Sequence, residues 1–189
     1  MKITLAIDTA TSRTQFAILQ GDELLWLETE DGATTHGDVL AKFGALAAKE
    51  KIDQVIVGMG PGPFTGLRTG IVFAQSFAFA QGLPVHGVCS LDAIAYGINL
   101  PEFIVATDAR RKELYWAKYI DGKRIGDPLV TAPSEIPKLP IFGEGALKYS
   151  LTSNTDYLYP NLIAFPELAH VNEPMYLRHP DAVPTAERK

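Results

Sequence analysis

The sequence predicts an α/β protein of two similar lobes, residues 1–99 and residues 100–189, of which the second is reduced. The first observation is a β-meander at the start of the chain, after which apolar strand-like segments alternate with helical ones. The second observation is that the meander pattern begins again near residue 100 and then thins out. A meander at the start speaks against a dinucleotide-binding fold, which opens with a strand–helix–strand unit.

The elements of the first lobe follow from local patterns. A polar turn and a hairpin turn at residues 20–22 (QGD) separate three strands. One apolar stripe predicts a helix over 38–51, and a second helix over 64–81 ends before a glycine. Ser90 is expected to cap a third helix that runs to Ile98. The predicted strands cover residues 3–7, 15–19, 23–29, 54–58 and 85–88.

The second lobe repeats the opening of the first lobe. Its predicted strands cover residues 103–107, 113–120 and 124–130. Prolines then break the pattern, a short strand enters a glycine turn at 141–145, and the tail from Tyr157 has no long periodic helix. A meander followed by alternating helices and strands is the order of the ribonuclease-H-like lobe of the actin/sugar-kinase/Hsp70 superfamily. We therefore expect two such lobes.

The composition restricts the classes of function. The chain has 189 residues, with 17 Lys and Arg against 22 Asp and Glu, and a formal net charge of −5. This acidic excess argues against a protein that holds nucleic acid by charge alone, but it leaves a local basic patch open. One cysteine, Cys89, fits a reducing compartment, and no apolar run approaches the ~18–20 residues of a membrane span. We expect a cytoplasmic protein without a membrane partner.

The glycine-rich segment 58–70, GMGPGPFTGLRTG, is the most informative part of the chain. It lacks the Gly-Lys-Ser/Thr ending of a P-loop, and Thr65 stands where a dinucleotide fingerprint needs its third glycine. Backbone N–H groups at the start of the following helix favour an anion site. The alternative is a structural turn, in which the glycines allow unusual backbone angles and close packing.

Two polar turns, one in each lobe, are candidate nucleotide sites. The first turn holds Asp8, Thr9 and Thr11, and the second holds Asp108 and Arg110. If the two turns face each other, they line a cleft between the lobes that can take nucleotide phosphates. The alternative is that both are Asx turns, in which each Asp binds only nearby backbone.

The side chains that commonly bind metals or act as nucleophiles are scattered along the sequence. A metal-binding histidine pair on one helix face needs its second member four residues after His36, and that position is Leu40. Cys89 is expected to be a small core residue. We therefore expect no catalytic metal and no catalytic residue.

The predicted helix over 64–81 is apolar nearly all round. Such a helix is buried on two sides, one of which packs on its own sheet. The other side is covered either by the helix over 38–51 or by another chain, and the pattern alone does not choose between them.

Four segments resemble the TsaB (YeaZ) family: residues 6–11 (AIDTAT), 60–70 (GPGPFTGLRTG), 108–117 (DARRKELYWA) and 173–178 (EPMYLR). The resemblance implies a part in forming N6-threonylcarbamoyladenosine at position 37 of ANN-decoding tRNAs. It implies a non-catalytic scaffold that activates the catalytic homologue TsaD, and a complex that the ATPase TsaE joins. It also implies that the chain contacts tRNA indirectly, through the other subunits of the complex. No cofactor is expected, with ATP or ADP binding left open.

The resemblance further implies that first-lobe helices form the interface with TsaD or with a second copy of the chain. The chain departs from the family at Pro63, where we expect Ser, and proline weakens a phosphate site there because it removes a donor. Replacing Ala74 or Ala78 by Glu is expected to abolish pairing while the fold survives. The side chains expected at or near the interface are Val39, Leu40, Phe43, Ala47, Leu67, Arg68, Ile71, Ala74 and Ala78.

The alternative function is that of an independent ATP-binding enzyme of the actin/sugar-kinase superfamily. Such an enzyme needs an Asp as catalytic base and a glycine turn for adenosine, for which Asp108 and residues 143–145 are the candidates. A peptidase would need a nucleophile or a metal centre, and the sequence shows no arrangement of that kind.

Overall fold

The computed structural model describes residues 1–32 and 36–178, which form two β-sheets with helices packed on their faces. The end of the predicted second lobe, residues 179–189, lies outside the described residues. The strands of the described chain are β1 (Ile3–Asp8), β2 (Arg13–Gln20), β3 (Glu23–Asp31), β4 (Gln54–Gly58), β5 (Val85–Val88), β6 (Glu102–Asp108), β7 (Leu114–Ile120), β8 (Lys123–Thr131), β9 (Ile141–Phe142) and β10 (His170–Val171). The helices in the same residues are α1 (His36–Ala47), α2 (Phe64–Gln81), α3 (Ser90–Ala95) and α4 (Glu144–Lys148), with 3₁₀ turns at Pro133–Glu135 and Leu162–Glu167.

The first sheet has the strand order β10-β5-β4-β1-β2-β3. Strands β1, β2 and β3 pair antiparallel as the predicted meander, and β4 and β5 continue the sheet parallel to β1. Helices α1 and α2 cover one face, while α3 and the 3₁₀ turn Leu162–Glu167 lie against the other.

The second sheet repeats this arrangement with fewer elements. Its order is β8-β7-β6-β9, in which β6, β7 and β8 form the meander and β9 runs parallel to β6. Between β8 and β9 the described chain has a 3₁₀ turn where the first lobe has α1, and the five-residue α4 follows β9 where the first lobe has the eighteen-residue α2. The predicted fold class, two ribonuclease-H-like lobes with the second reduced, is confirmed.

Two helices have bounds that differ from the prediction at both ends. Helix α1 begins at His36 and stops at Ala47, because the residues after Ala47 turn toward β4. Helix α3 stops at Ala95 instead of Ile98, and Ser90 is its first residue rather than its cap. Helix α2 and strands β4 and β5 have the bounds that the sequence predicts.

The C-terminal tail returns to the first sheet. Strand β10 pairs with β5, and the 3₁₀ turn before it buries Leu162 and Phe165 against the first sheet. The first sheet therefore contains a strand from the part of the chain that was predicted as the second lobe. The pairing of β10 with β5 joins residues about eighty positions apart in the sequence, and local patterns do not reveal such contacts.

None of the helices within residues 1–32 and 36–178 combines the length and the apolar character that a bilayer crossing requires.

Candidate functional site

The glycines at the start of α2 let this helix pack directly on the turn between β1 and β2. A Cβ atom at Gly62 would overlap the backbone of Ala10, and one at Gly70 would overlap the side chain of Thr9. At Gly66, a Cβ would lie 2.8 Å from the carbonyl oxygen of Thr9. The glycine-rich segment is therefore needed for close packing of two backbones, which is the structural interpretation of the motif.

Asp8 is fully buried beneath this turn. Its Oδ2 accepts a hydrogen bond from the Ser90 hydroxyl at 2.6 Å, and its Oδ1 accepts one from the Ala10 N–H at 2.8 Å. Burial raises the pKa of Asp8 to about 6, against the lowering effect of these two hydrogen bonds. The carboxylate thus joins β1 to α3 and does not face the space between the lobes.

The two threonines of the first turn have different positions. Thr9 is buried, and its hydroxyl donates to the carbonyl oxygen of Gly66 at 2.8 Å, which ties the turn to α2. Thr11 accepts a hydrogen bond from the Arg13 N–H at 3.2 Å and lines a cavity between the lobes.

The second-lobe turn, between β6 and β7, stands at the equivalent place in the repeat but is open to solvent. The Asp108 carboxylate accepts from the Lys148 ammonium group at 2.5 Å and from the Arg110 N–H at 3.1 Å. Arg110, Arg111 and Lys112 are exposed and have φ values of 59°, 52° and 62°. Three consecutive non-glycine residues therefore occupy the left-handed region, which is uncommon for residues with a Cβ.

A cavity of about 150 Å³ lies between the two turns. It brings together three of the five candidate nucleotide residues, Thr11, Asp108 and Arg110, and it excludes Asp8 and Thr9, which are buried in packing. The other lining residues come from the first turn, α1, the start of α2 and α4: Ser12, His36, Pro63, Thr65, Gly66 and Glu144.

His36 lies on the wall of this cavity and is held in place by a buried hydroxyl. Its Nδ1 is 2.6 Å from the Thr14 hydroxyl, and its Nε2 faces Gly66. Burial, and next the positive charge of Arg110, lower the pKa of His36. Leu40, one turn later, is buried in the core, so its side chain does not reach the cavity.

The C-terminal segment 173–178 crosses from one lobe to the other beside the cavity. The Met175 N–H donates to the Met59 carbonyl oxygen at 2.8 Å, and the Tyr176 ring lies 5.1 Å from the Phe64 ring at the start of α2. Arg178 then forms an ion pair with Glu113 and donates to the Ala109 carbonyl oxygen at 2.9 Å. The sequence patterns did not place this segment at the candidate site. Its aromatic residue Tyr176 and its basic residue Arg178 were the signal that could have predicted these contacts.

Comparison with known proteins places this arrangement in a family. Residues 39–168 match the family model described as TsaD, tRNA N6-adenosine threonylcarbamoyltransferase. A solved structure described as YeaZ from Pseudomonas aeruginosa superposes with a TM-score of 0.73 and 26% identity, over 94% of this chain and 100% of that one. The chain belongs to the TsaB (YeaZ) family.

Other relatives match different shares of the chain. An uncharacterized protein of Mycobacterium tuberculosis is 38% identical over 96% of this chain and 94% of its own length. The Escherichia coli protein named tRNA threonylcarbamoyladenosine biosynthesis protein TsaB is 39% identical over 48% of this chain and 37% of its own length. The Haemophilus influenzae protein of the same name is 33% identical over 63% of this chain and 54% of its own length.

The structure corrects the list of interface residues that the TsaB resemblance suggested. Of these side chains, Arg68 is exposed, and the others pack inward on the first sheet as part of its core. They are apolar because α1 and α2 cover the sheet, so a partner cannot reach them without unfolding this layer. The corrected, inward-facing residues are Val39, Leu40, Phe43, Ala47, Leu67, Ile71, Ala74 and Ala78.

The outer side of α2 carries a different set of apolar side chains in this TsaB-family chain. Phe79 is 91% exposed and Val72 is 58% exposed, one either side of the polar pair Gln75 and Ser76. Arg68 continues the stripe toward the start of the helix, where its guanidinium group lies 3.8 Å from the centre of the Phe64 ring. Phe79 is thus almost fully exposed. The periodicity of the sequence did not distinguish it from the core residues of the same helix.

Proposed function

We propose that the chain acts in tRNA threonylcarbamoyladenosine biosynthesis as a non-catalytic cytoplasmic partner that activates a TsaD homologue. The observation that carries this proposal is the exposed apolar face of α2 at Phe79 and Val72, on a chain of the TsaB family. Apolar side chains exposed on a structured helix are typical of a protein–protein interface.

The wall of the interlobe cavity supports a non-catalytic role. A metal site on α1 would need a second histidine one turn after His36, and the core leucine Leu40 occupies that position. His36 is already held by the Thr14 hydroxyl at 2.6 Å. The residues present at this place therefore fit packing better than they fit an open metal centre.

The size of the cavity favours the partner role over an independent ATP-using enzyme. Its volume of about 150 Å³ is below the roughly 300–1,000 Å³ of usual small-molecule sites. Asp8, one of the candidate nucleotide-site residues, is buried against Ser90 and Ala10. Steady ATP turnover by the isolated chain would favour the enzyme instead.

The interface is tested by co-expression with the TsaD homologue of the same genome. We expect Phe79→Glu to lower the amount of TsaD that co-purifies at least tenfold, because a carboxylate would be buried at the centre of the contact. Ile125→Glu is the matched control, since Ile125 is also an exposed apolar residue but lies on β8 of the second lobe. The Ile125 variant should pair like the natural chain.

The same samples test the activity. Modification of tRNA by TsaD and the ATPase TsaE should require this chain and should fall with Phe79→Glu in proportion to lost pairing. Equal co-purification and equal modification with natural chain and Phe79→Glu would refute the proposed interface. Light scattering of the isolated chain shows whether the same face also forms a homodimer, which Phe79→Glu should then dissociate.

Ala74→Glu and Ala78→Glu cannot serve as interface variants. Both side chains are buried against the first sheet, so a carboxylate there is expected to unfold the chain. This replaces the expectation from sequence that the fold survives these substitutions.

A further inference from the structure

Helix α2 carries a single charged side chain, Arg68, among its eighteen residues, and it has no acidic residue. Arg68 is exposed on the outer side of the helix, in line with the exposed Val72 and Phe79, because positions 68, 72 and 79 fall on one helix face. The apolar stripe that is proposed to contact TsaD therefore has one cation at its N-terminal end.

Two aromatic rings, rather than a carboxylate, hold the guanidinium group of Arg68. Its carbon lies 3.8 Å from the centre of the Phe64 ring and 5.9 Å from that of the Tyr176 ring, and the two ring centres are 5.1 Å apart. In the part of the chain that the structure describes, no carboxylate and no hydrogen-bond acceptor contacts this group. A guanidinium group over a ring has a fixed orientation, and the N–H groups at its edge stay free to bind a carboxylate.

This arrangement restricts the chemistry of whatever covers the stripe. Because Arg68 lies one helical turn before Val72, a partner that packs on Val72 also removes water from the guanidinium group. Loss of that water without a counter-ion is strongly unfavourable. A carboxylate on the partner would replace the water with bidentate, charge-assisted hydrogen bonds. The stripe therefore fits a partner that has an apolar surface and a carboxylate beside it.

The outer face of α2 does not complement itself. In a twofold dimer the same surface patch of each copy meets its equivalent. Parallel α2 helices would bring Arg68 against Arg68, and antiparallel helices would place Arg68 against the apolar end at Phe79. Neither arrangement offers a carboxylate from α2, since the helix has none. Charge complementarity thus favours a different protein over a second copy of this helix.

We propose that Arg68, held by Phe64 and Tyr176, binds an aspartate or glutamate carboxylate of the TsaD homologue and sets the orientation of the complex. The inference rests on the proposed function, since it assumes that TsaD covers the outer face of α2. Phe79 lies roughly 16 Å from Arg68 along the helix axis, at a rise of about 1.5 Å per residue. The TsaD surface should present its carboxylate and an apolar pocket at this separation, and the two different ends allow one direction of binding.

The first test measures the binding of purified variants to the TsaD homologue. Arg68→Met removes the charge but keeps an unbranched side chain over Phe64, and Arg68→Lys keeps the charge but loses the planar fork. We expect the dissociation constant to rise roughly ten- to a hundredfold for Arg68→Met and roughly three- to tenfold for Arg68→Lys. Lys123→Met is the matched control, because Lys123 is an exposed cation on β8 of the second lobe. Its binding should change less than about twofold.

A double-substitution cycle tests whether the Phe64 ring acts through Arg68. Phe64→Leu removes the ring beneath the guanidinium group and should weaken TsaD binding roughly two- to fivefold, whereas Phe64→Tyr keeps a ring and should bind like the natural chain. Phe64→Leu combined with Arg68→Met should bind no more weakly than Arg68→Met alone. Additive losses would overturn the assignment of Phe64 to holding Arg68. Melting temperatures near that of the natural chain show that each variant folds.

Cross-linking identifies the carboxylate that faces position 68. In Arg68→Lys, a carbodiimide joins the introduced ammonium group to a carboxylate in contact with it, which forms an amide and converts the reagent to a urea. We expect a cross-linked heterodimer in which mass spectrometry finds position 68 joined to an Asp or Glu of TsaD. A cross-linked homodimer in its place, with position 68 joined to the exposed Asp38 of α1, would overturn the proposal. So would the absence of any cross-link at position 68 while TsaD is bound.

The outcomes separate this inference from the proposed function. If Phe79→Glu abolishes pairing with TsaD while Arg68→Met pairs like the natural chain, the proposed interface stands and the role of Arg68 is refuted. If the natural chain does not pair with TsaD at all, the proposed function itself fails.

Discussion

The turns after β1 and after β6 occupy equivalent places in the two repeats, yet their surroundings are opposite. The first turn lies under the start of α2, where glycines let it be covered, and Asp8 is fully buried. The second turn has the short α4 and Arg178 of the C-terminal segment beside it, and Asp108 is half-buried while residues 110–112 are exposed. An eighteen-residue helix over one turn and a five-residue helix beside the other account for the difference.

This contrast shows how one repeated pattern supports two tasks. The covered turn of the first lobe holds its sheet, α2 and α3 together through Thr9 and Asp8. The second-lobe turn contacts α4 through Asp108 and the C-terminal segment through Ala109, and residues 110–112 carry charged side chains at the surface. The two aspartates therefore have different chemistry, although their sequence contexts are alike.

The largest expected difference between the two turns is in how replacing their aspartates by asparagine changes the pH dependence of the unfolding free energy. Because the pKa of Asp8 is raised from 3.8 to about 6, the folded chain keeps this proton longer than the unfolded chain does. The free energy of unfolding therefore falls as pH rises through this window, by on the order of 3 kcal/mol. Asp8→Asn should remove that loss. Urea unfolding of the natural chain and the variant between pH 4 and pH 7 measures it.

The pH series contradicts this interpretation if the difference in unfolding free energy between the two proteins stays constant from pH 4 to pH 7. Asp108→Asn serves as the control, because it removes a carboxylate from the equivalent turn without touching Asp8.

The next largest effect on stability is expected from adding a methyl group between the first turn and α2. Gly62→Ala places a methyl group against the backbone of Ala10 and should lower the free energy of unfolding by about 2 kcal/mol. Gly37→Ala is the matched control, since no atom lies within 4 Å of a Cβ at that position on α1. Thermal melting of both variants is the measurement. Equal melting temperatures would show that the first turn and α2 can move apart without a loss of stability.

The smallest change is expected at the open turn. Asp108→Asn breaks the pair with Lys148, whose side chain is 52% exposed, and should alter the unfolding free energy by less than about 1 kcal/mol. Chemical unfolding at low and high salt checks this, because the residual effect should shrink as salt screens the pair. An effect as large as that of Gly62→Ala would mean that this turn, too, supports the core.

The regular elements were predictable to different degrees. Local periodicity and the glycine after Gln81 were sufficient for α2 and for strands β4 and β5, whose bounds agree with the prediction. The end of α1 was placed four residues too late, because the apolar pattern does not mark where the chain leaves the helix toward β4. The two-residue strand β10 exists only because β5 offers an edge, so its own sequence could not predict it.

The position of the candidate cavity was predictable in part, because some of the predicted residues line it and others do not. The two turns and the glycine-rich segment were identified, and Thr11, Asp108 and Arg110 meet at the cavity. Asp8 and Thr9 were placed there too, but both are buried in packing. The outer face of α2 was missed because a helix that is apolar nearly all round does not reveal which side meets the sheet.

By itself, the sequence determined the two repeated lobes, the order of their elements and the family motifs, since these depend on spacing along the chain. Only the tertiary structure decided that Asp8 is fully buried while Asp108 is partly buried, that Phe79 is exposed while Ala74 is buried, and that the tail joins the first sheet. The physical reason is that burial belongs to contacts between residues far apart in the chain. Helix length beside each turn, rather than the sequence of the turn, sets its exposure.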